Sequence, residues 1–437
     1  MTDAETTAGA EATSRADVAT HLESRLAAEL EARDAAAVVH VGPRDDPVIR
    51  YCLSAADGVD AAGTDRSRTR IRTRPTAVAV TFDADGTWLV ETPTDASDGR
   101  AASSAPARSL ASRLAERLED DADRSSSSSA VLAPARIPHD AALYLENAGF
   151  ELASTNVFDR ARAAKTAAER DRIAAAQAAA SAGIRNAAAV LADATVENGR
   201  LVADGEAVTP RGLRTAIDEG IVAAGAFPDG NTVVNPDAGN EPSTLVGSDD
   251  DAVATGNATD TAAEALRPAE PIVLEAAPRG PDGYYGSLVR TLVVDGEGGR
   301  DRRAHVGVTQ SFRSAAAMVT ADAESVTAVE ADLEAEVRAF GFEEPGAVDT
   351  RVFGVGLEPR ERPAAGGDDI EPGSVVRLES AVRIEEESGD GVGDGTDDET
   401  GGQWLRIADL LVKGHDGERA QYLAAPSRSL EPSALLE

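Results

Sequence analysis

The sequence predicts an α/β domain followed by a larger α+β domain, and three observations carry that expectation. Hydrophobic residues make up 42% of a 437-residue chain, enough for two separate cores. Strand and helix patterns alternate from Val18 to Phe158. Beyond that point an order of two helices and then strands occurs twice. The expected division is a disordered N-terminus over 1–17, an α/β domain over 18–158 and a second domain over 159–437.

In the first domain, Val18, Leu22, Leu26 and Leu30 recur at helical spacing and predict a helix from Val18 to Ala32. The run AVVHVG reads as a strand. In TAVAVTFDADGTWLVE two alternating segments flank Asp85-Gly86, a hairpin turn pair. Leu110, Leu114 and Leu118 mark the next helix. After the serine run Ser125 to Ser129 come a short strand VLA, a helix from Pro138 to about Ala148 and an extended segment ELASTNVF. Cys52 is the only cysteine, so no intrachain disulfide can form. It sits in RYCLS at an expected strand end, where it reads as a small buried hydrophobe rather than a nucleophile.

In the second domain, Thr166-Ala-Ala-Glu169 has the form of a capping box and opens a long alanine-rich helix. Another helix starts at Thr209, with Pro210 in its first turn, and runs to about Ala224. Strands are expected at NTVV, PIVLEAA and YYGSLVRTLVV. Helices at about Val306 to Val319 and Ser325 to Phe340, closed by Gly341, begin the second pass, and strands follow again.

The formal net charge is −35, and Lys165 and Lys413 are the only lysines. With apolar residues plentiful, this is the charge of a folded protein that works in concentrated salt, where the Debye length shrinks to a few ångström and self-repulsion is screened. Such a surface argues against nucleic acid and against acidic membranes as partners. The first residues lack an apolar core and no run is long enough to span a membrane, so a cytoplasmic location is expected. The Asn257 N-x-T match then has no consequence.

The stretch from Ile272 to Thr291, IVLEAAPRGPDGYYGSLVRT, resembles the paired-aspartate hairpin of the pita-bread metallopeptidases, the family of methionine aminopeptidases, Xaa-Pro aminopeptidases, prolidases and creatinase. The Lys165-to-Glu169 stretch resembles the basic lead into that fold, and 18–158 resembles the domain preceding it in creatinase and prolidase. The acidic composition resembles that of haloarchaeal proteins. Carried over position by position, the resemblance puts Glu275 and Ser287 at the two aspartate places. VFGVGLEPRE, from Val352 to Glu361, resembles the glycine-rich segment with the metal-binding His; Phe353 takes that place and Arg360 that of a later, substrate-contacting His. IEPGSVVRLES puts Glu379 at the next carboxylate place, and WLRIADLLVKGHDG puts Ala408 at the last. VRIEE at Val382 to Glu386 imitates the closing motif but lies too close to Glu379. Ser243, after Pro242, is a loose match to another His of the family.

In the family two divalent metals sit between these ligands, share a hydroxide and polarise the scissile carbonyl. Of the five ligand places only Glu275 and Glu379 can coordinate, so no metal is expected. His21, His40, His139, His305 and His415 all fall outside the motifs, which also argues against acid-base catalysis by a His without metal. No G-x-S-x-G elbow, P-loop or dinucleotide fingerprint is present. The resemblance thus implies a non-catalytic, Xaa-Pro aminopeptidase-like protein that binds a peptide or protein partner, as a homodimer or as a heterodimer with a paralogue. The alternative is an active aminopeptidase or prolidase-type enzyme with two Mn, Co or Zn ions on non-standard ligands. Two buried glutamates without metal need a fixed cation; either Arg360, helped by Arg406, supplies it by pairing with Glu275 or Glu379, or Arg360 points to solvent on a surface turn.

Overall fold

The computed structural model describes residues 3–56, 77–92, 106–120, 129–236, 265–296, 298–321, 324–364, 366–384, 403–415 and 418–437. The chain divides into two compact units, one formed by Met1–Arg162 with Thr166–Ala168 and the other by Ala163–Lys165 with Glu169–Glu437.

The first unit begins with α1 (Asp3–Arg33). This helix starts at Asp3 rather than Val18, so the expected disordered N-terminus is helical from Asp3; its Ala and Glu content favours that state. Val18, Leu22, Leu26 and Leu30 are buried as the spacing requires. Next come β1 (Ala37–Pro43), α2 (Pro47–Ala55), β2 (Ala77–Asp83), β3 (Trp88–Glu91), α3 (Pro106–Asp120), β4 (Ala130–Pro134), α4 (His139–Asn147), β5 (Glu151–Thr155) and α5 (Val157–Ala163). The sheet order is β3-β2-β1-β4-β5, with β1, β4 and β5 parallel and β2 and β3 antiparallel additions. Leu110 and Leu114 of α3 pack with Val39, Val131 and Leu145 in one core.

Two local expectations are corrected here. Cys52 lies in α2, not at a strand end, because Asp46 caps the helix by accepting from Ile49 N at 2.9 Å and Pro47 suits its first turn. It is fully buried all the same. The extended segment stops at Thr155, whose hydroxyl accepts from Val157 N at 3.1 Å and turns Val157 and Phe158 into α5.

In the second unit, α6 (Ala167–Ala192) is followed by a small meander, β6 (Thr195–Glu197), β7 (Arg200–Ala203) and β8 (Glu206–Ala207). Its turns are Asn198-Gly199 and Asp204-Gly205, all four residues at positive φ, the conformation that two-residue hairpins need. Then come α7 (Pro210–Ala223), β9 (Thr232–Val234), β10 (Ile272–Ala276), β11 (Leu288–Leu292), α8 (Arg300–Ala321), α9 (Val326–Arg338), β12 (Val348–Gly354), β13 (Val375–Ile384), β14 (Gln403–Val412) and β15 (Gln421–Tyr422). Thr209 caps α7 and Ser325 caps α9, each accepting from the amide three residues on. A Cβ on Gly220 would lie 2.8 Å from Gly183 Cα, so α6 and α7 approach as closely as they do only because both positions are glycine.

The large sheet runs β12-β13-β14-β11-β10-β9, with β15 against β14. One face is covered by helices. Ile272, Leu274, Leu288 and Leu292 pack with Ile184, Ile217 and Ile221 of α6 and α7, while Val376, Leu378, Leu405 and Ile407 pack with Phe312 and Leu333 of α8 and α9. Strand alternation then sends residues 273, 275, 289, 377, 379, 406 and 408 to the opposite face. Among the described residues no helix is long and apolar enough to cross a membrane.

Candidate functional site

Register brings the family-type positions together on that second face. Glu275 pairs with Val289, Val289 with Ala408, and Ala408 with Glu379, a straight line across β10, β11, β14 and β13. Phe353 on β12 pairs with Arg377 on β13. Ser287 immediately precedes β11, two residues before Val289, and so shares its face. Val273, Val289 and Ala408 form a small apolar floor there.

Over this floor four charges are gathered. Arg377 Nη2 donates to Glu275 Oε1 at 2.9 Å and also to Glu379 Oε2. Its Nη1 donates to Ser287 Oγ at 2.8 Å. Arg406 stands opposite, with Nη1 3.6 Å from Glu275 Oε2 and Nε 3.5 Å from Glu379 Oε1. Glu275, Glu379, Arg377 and Arg406 are all less than 5% exposed. The two carboxylates and two guanidiniums balance, and the Arg351–Asp349 pair beside them on β12 adds one charge of each sign.

The electrostatics follow from that packing. Burial is the largest influence on the Glu379 carboxyl and opposes its ionisation, but Arg377, Arg406 and Arg351 together outweigh it and hold the carboxyl below its ordinary value. Burial likewise works against the Arg377 cation, and Glu379 and Glu275 outweigh it, holding the guanidinium above its usual range.

The remaining positions have different surroundings. Phe353 is buried, and the guanidinium carbons of Arg360 and Arg377 lie 5.2 and 5.5 Å from its ring centre, cation–π distances for both. Arg360 is exposed, and its Nη2 donates to Ala364 O at 3.4 Å. The expected ion pair from Arg360 is therefore corrected: Arg377 makes it, with Arg406 as the second cation. Arg360 follows β12 in a loop, and no ion pair joins it to either glutamate. Ser243 lies outside the described residues, as do Asn257, Glu385 and Glu386. His305 donates to Arg428 O at 2.7 Å, a role in tertiary structure.

Three residues in these contacts were not singled out from sequence. Arg377 sits two residues before Glu379, a spacing that places both on one face of any strand. Gln177, on α6, accepts from Ser287 N at 2.8 Å and holds the hairpin end. Glu361 pairs with Lys165 in a buried ion bridge. Gly356 makes room for it, since a Cβ there would meet Glu361 Oε1 at 2.1 Å and Lys165 Cε at 2.8 Å.

Arg290 and Thr291, the end of the hairpin motif, bind β11 to its neighbours. Arg290 Nη2 pairs with Asp409 at 2.7 Å and donates to Pro426 O at 2.8 Å. Thr291 Oγ1 exchanges hydrogen bonds of 2.7 and 2.8 Å with the Arg406 backbone. That second contact also fixes where Arg406 leaves its strand.

Among the described residues, no group of three or more His, Cys, Asp or Glu side chains is placed to hold a metal ion. At the ligand places the donors are two carboxylates and a hydroxyl, all three engaged by Arg377; Asp349, on the same face of β12, pairs with Arg351 at 3.2 Å.

Comparison with known proteins gives the same frame. The profile of metallopeptidase family M24 matches residues 171–412. No curated protein matches the chain in sequence. Among solved structures, the chain is similar to dipeptidase PepE from Mycobacterium ulcerans, at 19% identity and a TM-score of 0.63, over 95% of this chain and 98% of that one. It is similar to prolidase from Pyrococcus horikoshii OT3, at 14% identity and 0.60, over 94% and 99%. The N-terminal domain of FACT complex subunit SPT16 from Cicer arietinum matches at 14% identity and 0.60, over 95% and 98%. At these identities the structures share the fold alone, a pita-bread domain preceded by an N-terminal α/β domain. The profile match spans more than half of the sequence, and the chain belongs to metallopeptidase family M24.

Proposed function

We propose that this chain is a non-catalytic, Xaa-Pro aminopeptidase-like member of its family, which uses the scaffold to bind a peptide or a protein partner. One observation carries the reading: Arg377 binds both remaining carboxylates, Glu275 and Glu379. Members of family M24 generally use divalent metals, and the residues present do not fit a dinuclear centre. Such a centre needs three or more N or O donors around each ion. Here a hydroxyl, an aromatic ring and a methyl group occupy Ser287, Phe353 and Ala408.

The occurrence of this fold in a FACT complex subunit as well as in a prolidase and a dipeptidase supports a partner-binding use. The acid excess and the scarcity of lysine support a cytoplasm rich in salt as its setting. A dimer, with itself or with a paralogue that keeps its ligands, completes the proposal.

Xaa-Pro dipeptides and longer peptides with proline second are the substrates to offer, in concentrated KCl with Mn, Co or Zn. The expected result is no hydrolysis, with retained peptide binding by calorimetry or association with a paralogue. Metal-dependent turnover would establish the alternative, an active prolidase-type enzyme with non-standard ligands.

A further inference from the structure

The cluster on the sheet face is organised around one guanidinium. Glu275 and Glu379 stand on β10 and β13, with β11 and β14 between them, yet both reach Arg377 Nη2. Arg406 approaches the two other carboxylate oxygens at 3.5 and 3.6 Å, beyond direct hydrogen bonding. Glu275 Oε2 is buried without a hydrogen-bond partner. The contacts that hold the two acids together are therefore those of Arg377.

The residues at two of the replaced ligand places serve the same guanidinium. Ser287 Oγ accepts from Arg377 Nη1 at 2.8 Å, and the Phe353 ring lies 5.5 Å from the guanidinium carbon. A hydroxyl takes one donor without adding charge, and an aromatic face attracts the cation without adding a ligand. An aspartate at 287 would place a third carboxylate beside two guanidiniums and upset the balance. An imidazole at 353 would offer Arg377 a weaker face and, once protonated, a like charge.

We infer that Arg377 is a tethered internal cation that takes the space between Glu275 and Glu379, so that metal is shut out by an occupant and not merely by missing ligands. Ser287 and Phe353 are that occupant's partners. The same two carboxylates would then accept a divalent ion once the guanidinium is removed, because Arg406 alone, at 3.5 and 3.6 Å, leaves two buried acids one positive charge short. This deepens the reading above and can fail separately from it. Hydrolysis of Xaa-Pro peptides by the wild type would overturn the reading, whereas the inference is decided by how stability responds to metal.

The test is thermal unfolding in concentrated KCl of the wild type, Arg377→Met and Arg377→Lys, each in EDTA and in Mn2+. The expected wild-type midpoint is the same in both. Arg377→Met should unfold several degrees lower in EDTA and regain much of that loss in Mn2+, as an ion that binds only the folded state requires. Arg377→Lys, which keeps the charge, should stay insensitive to Mn2+. If Arg377→Met does not accumulate as folded protein, refolding it from urea with and without Mn2+ gives the same reading, and a higher yield with Mn2+ is expected. The inference is overturned by a wild type that Mn2+ stabilises as much as the variant. It is equally overturned by an Arg377→Met protein whose midpoint or refolding yield Mn2+ does not raise.

Discussion

Arg377 and Glu379 stand two residues apart on one strand, share one face of the sheet and pair with each other, while the same guanidinium reaches Glu275 on another strand at 2.9 Å. A local strand spacing and a long-range contact thus meet in one side chain. Its Nη2 serves both acids, and Ser287 takes Nη1.

The two arginines should differ in energetic weight. Removing one partner from a buried ion pair costs about 3–5 kcal/mol, because the abandoned charge stays desolvated. Arg377→Met should fall in that range. Arg406→Met should cost less, since its approaches of 3.5 and 3.6 Å are not hydrogen bonds. Urea unfolding in concentrated KCl measures both, and a larger loss at Arg406 would contradict the assignment.

Acid should weaken the protein through Glu379. The folded carboxyl is held below its ordinary value, so its contribution is complete above the unfolded value of about 4.3 and is lost as pH falls below that toward the folded one. Glu379→Gln should be less stable at neutral pH and should show a shallower loss of stability on the acid side. Urea midpoints across that window would show it; parallel curves for the two proteins would place the acid sensitivity elsewhere.

Gly356 is expected to tolerate no side chain. A Cβ there would stand 2.1 Å from Glu361 Oε1 and force apart the buried Lys165–Glu361 pair. Gly356→Ala should therefore lose about 3 kcal/mol or more, the scale of a broken buried pair. The double variant with Glu361→Ala should lose less than the sum of the two single losses, because both changes act on one contact. Independent, additive losses in thermal unfolding would rule out this coupling.

Much of this was legible from the residues. Helical spacing located the Val18–Leu30 stripe, and Thr209-Pro210 marked the start of α7. The line of Glu275, Ala408 and Glu379 across the sheet follows from motif positions alone. Arg406, in the closing motif, is readable as a cation for that line. Arg377 could have been found from its period-two relation to Glu379. Arg360 could not be placed, because it lies in a loop where neither helical nor strand period fixes direction. Asn198-Gly199 and Asp204-Gly205 carry a hairpin signature that locates the small meander, yet its strands are too short to stand out by alternation.

Salt should be required for stability. The chain carries 77 acidic residues against 42 lysines and arginines, and both lysines are buried, so the exposed cations are arginines. The unbalanced acids repel one another unless the Debye length is short. The thermal midpoint should rise steadily from dilute buffer to concentrated KCl. A midpoint unchanged by salt would contradict the proposed setting.

The guanidinium of Arg377 stands between Glu275 and Glu379. Metal content shows whether that position is closed to an ion. The protein should be purified in concentrated KCl, exposed to Mn, Co and Zn in turn, freed of unbound ions and analysed for metal per chain. No stoichiometric metal is expected in the wild type, whereas one or two ions per chain with Arg377 in place would show that the guanidinium does not exclude them.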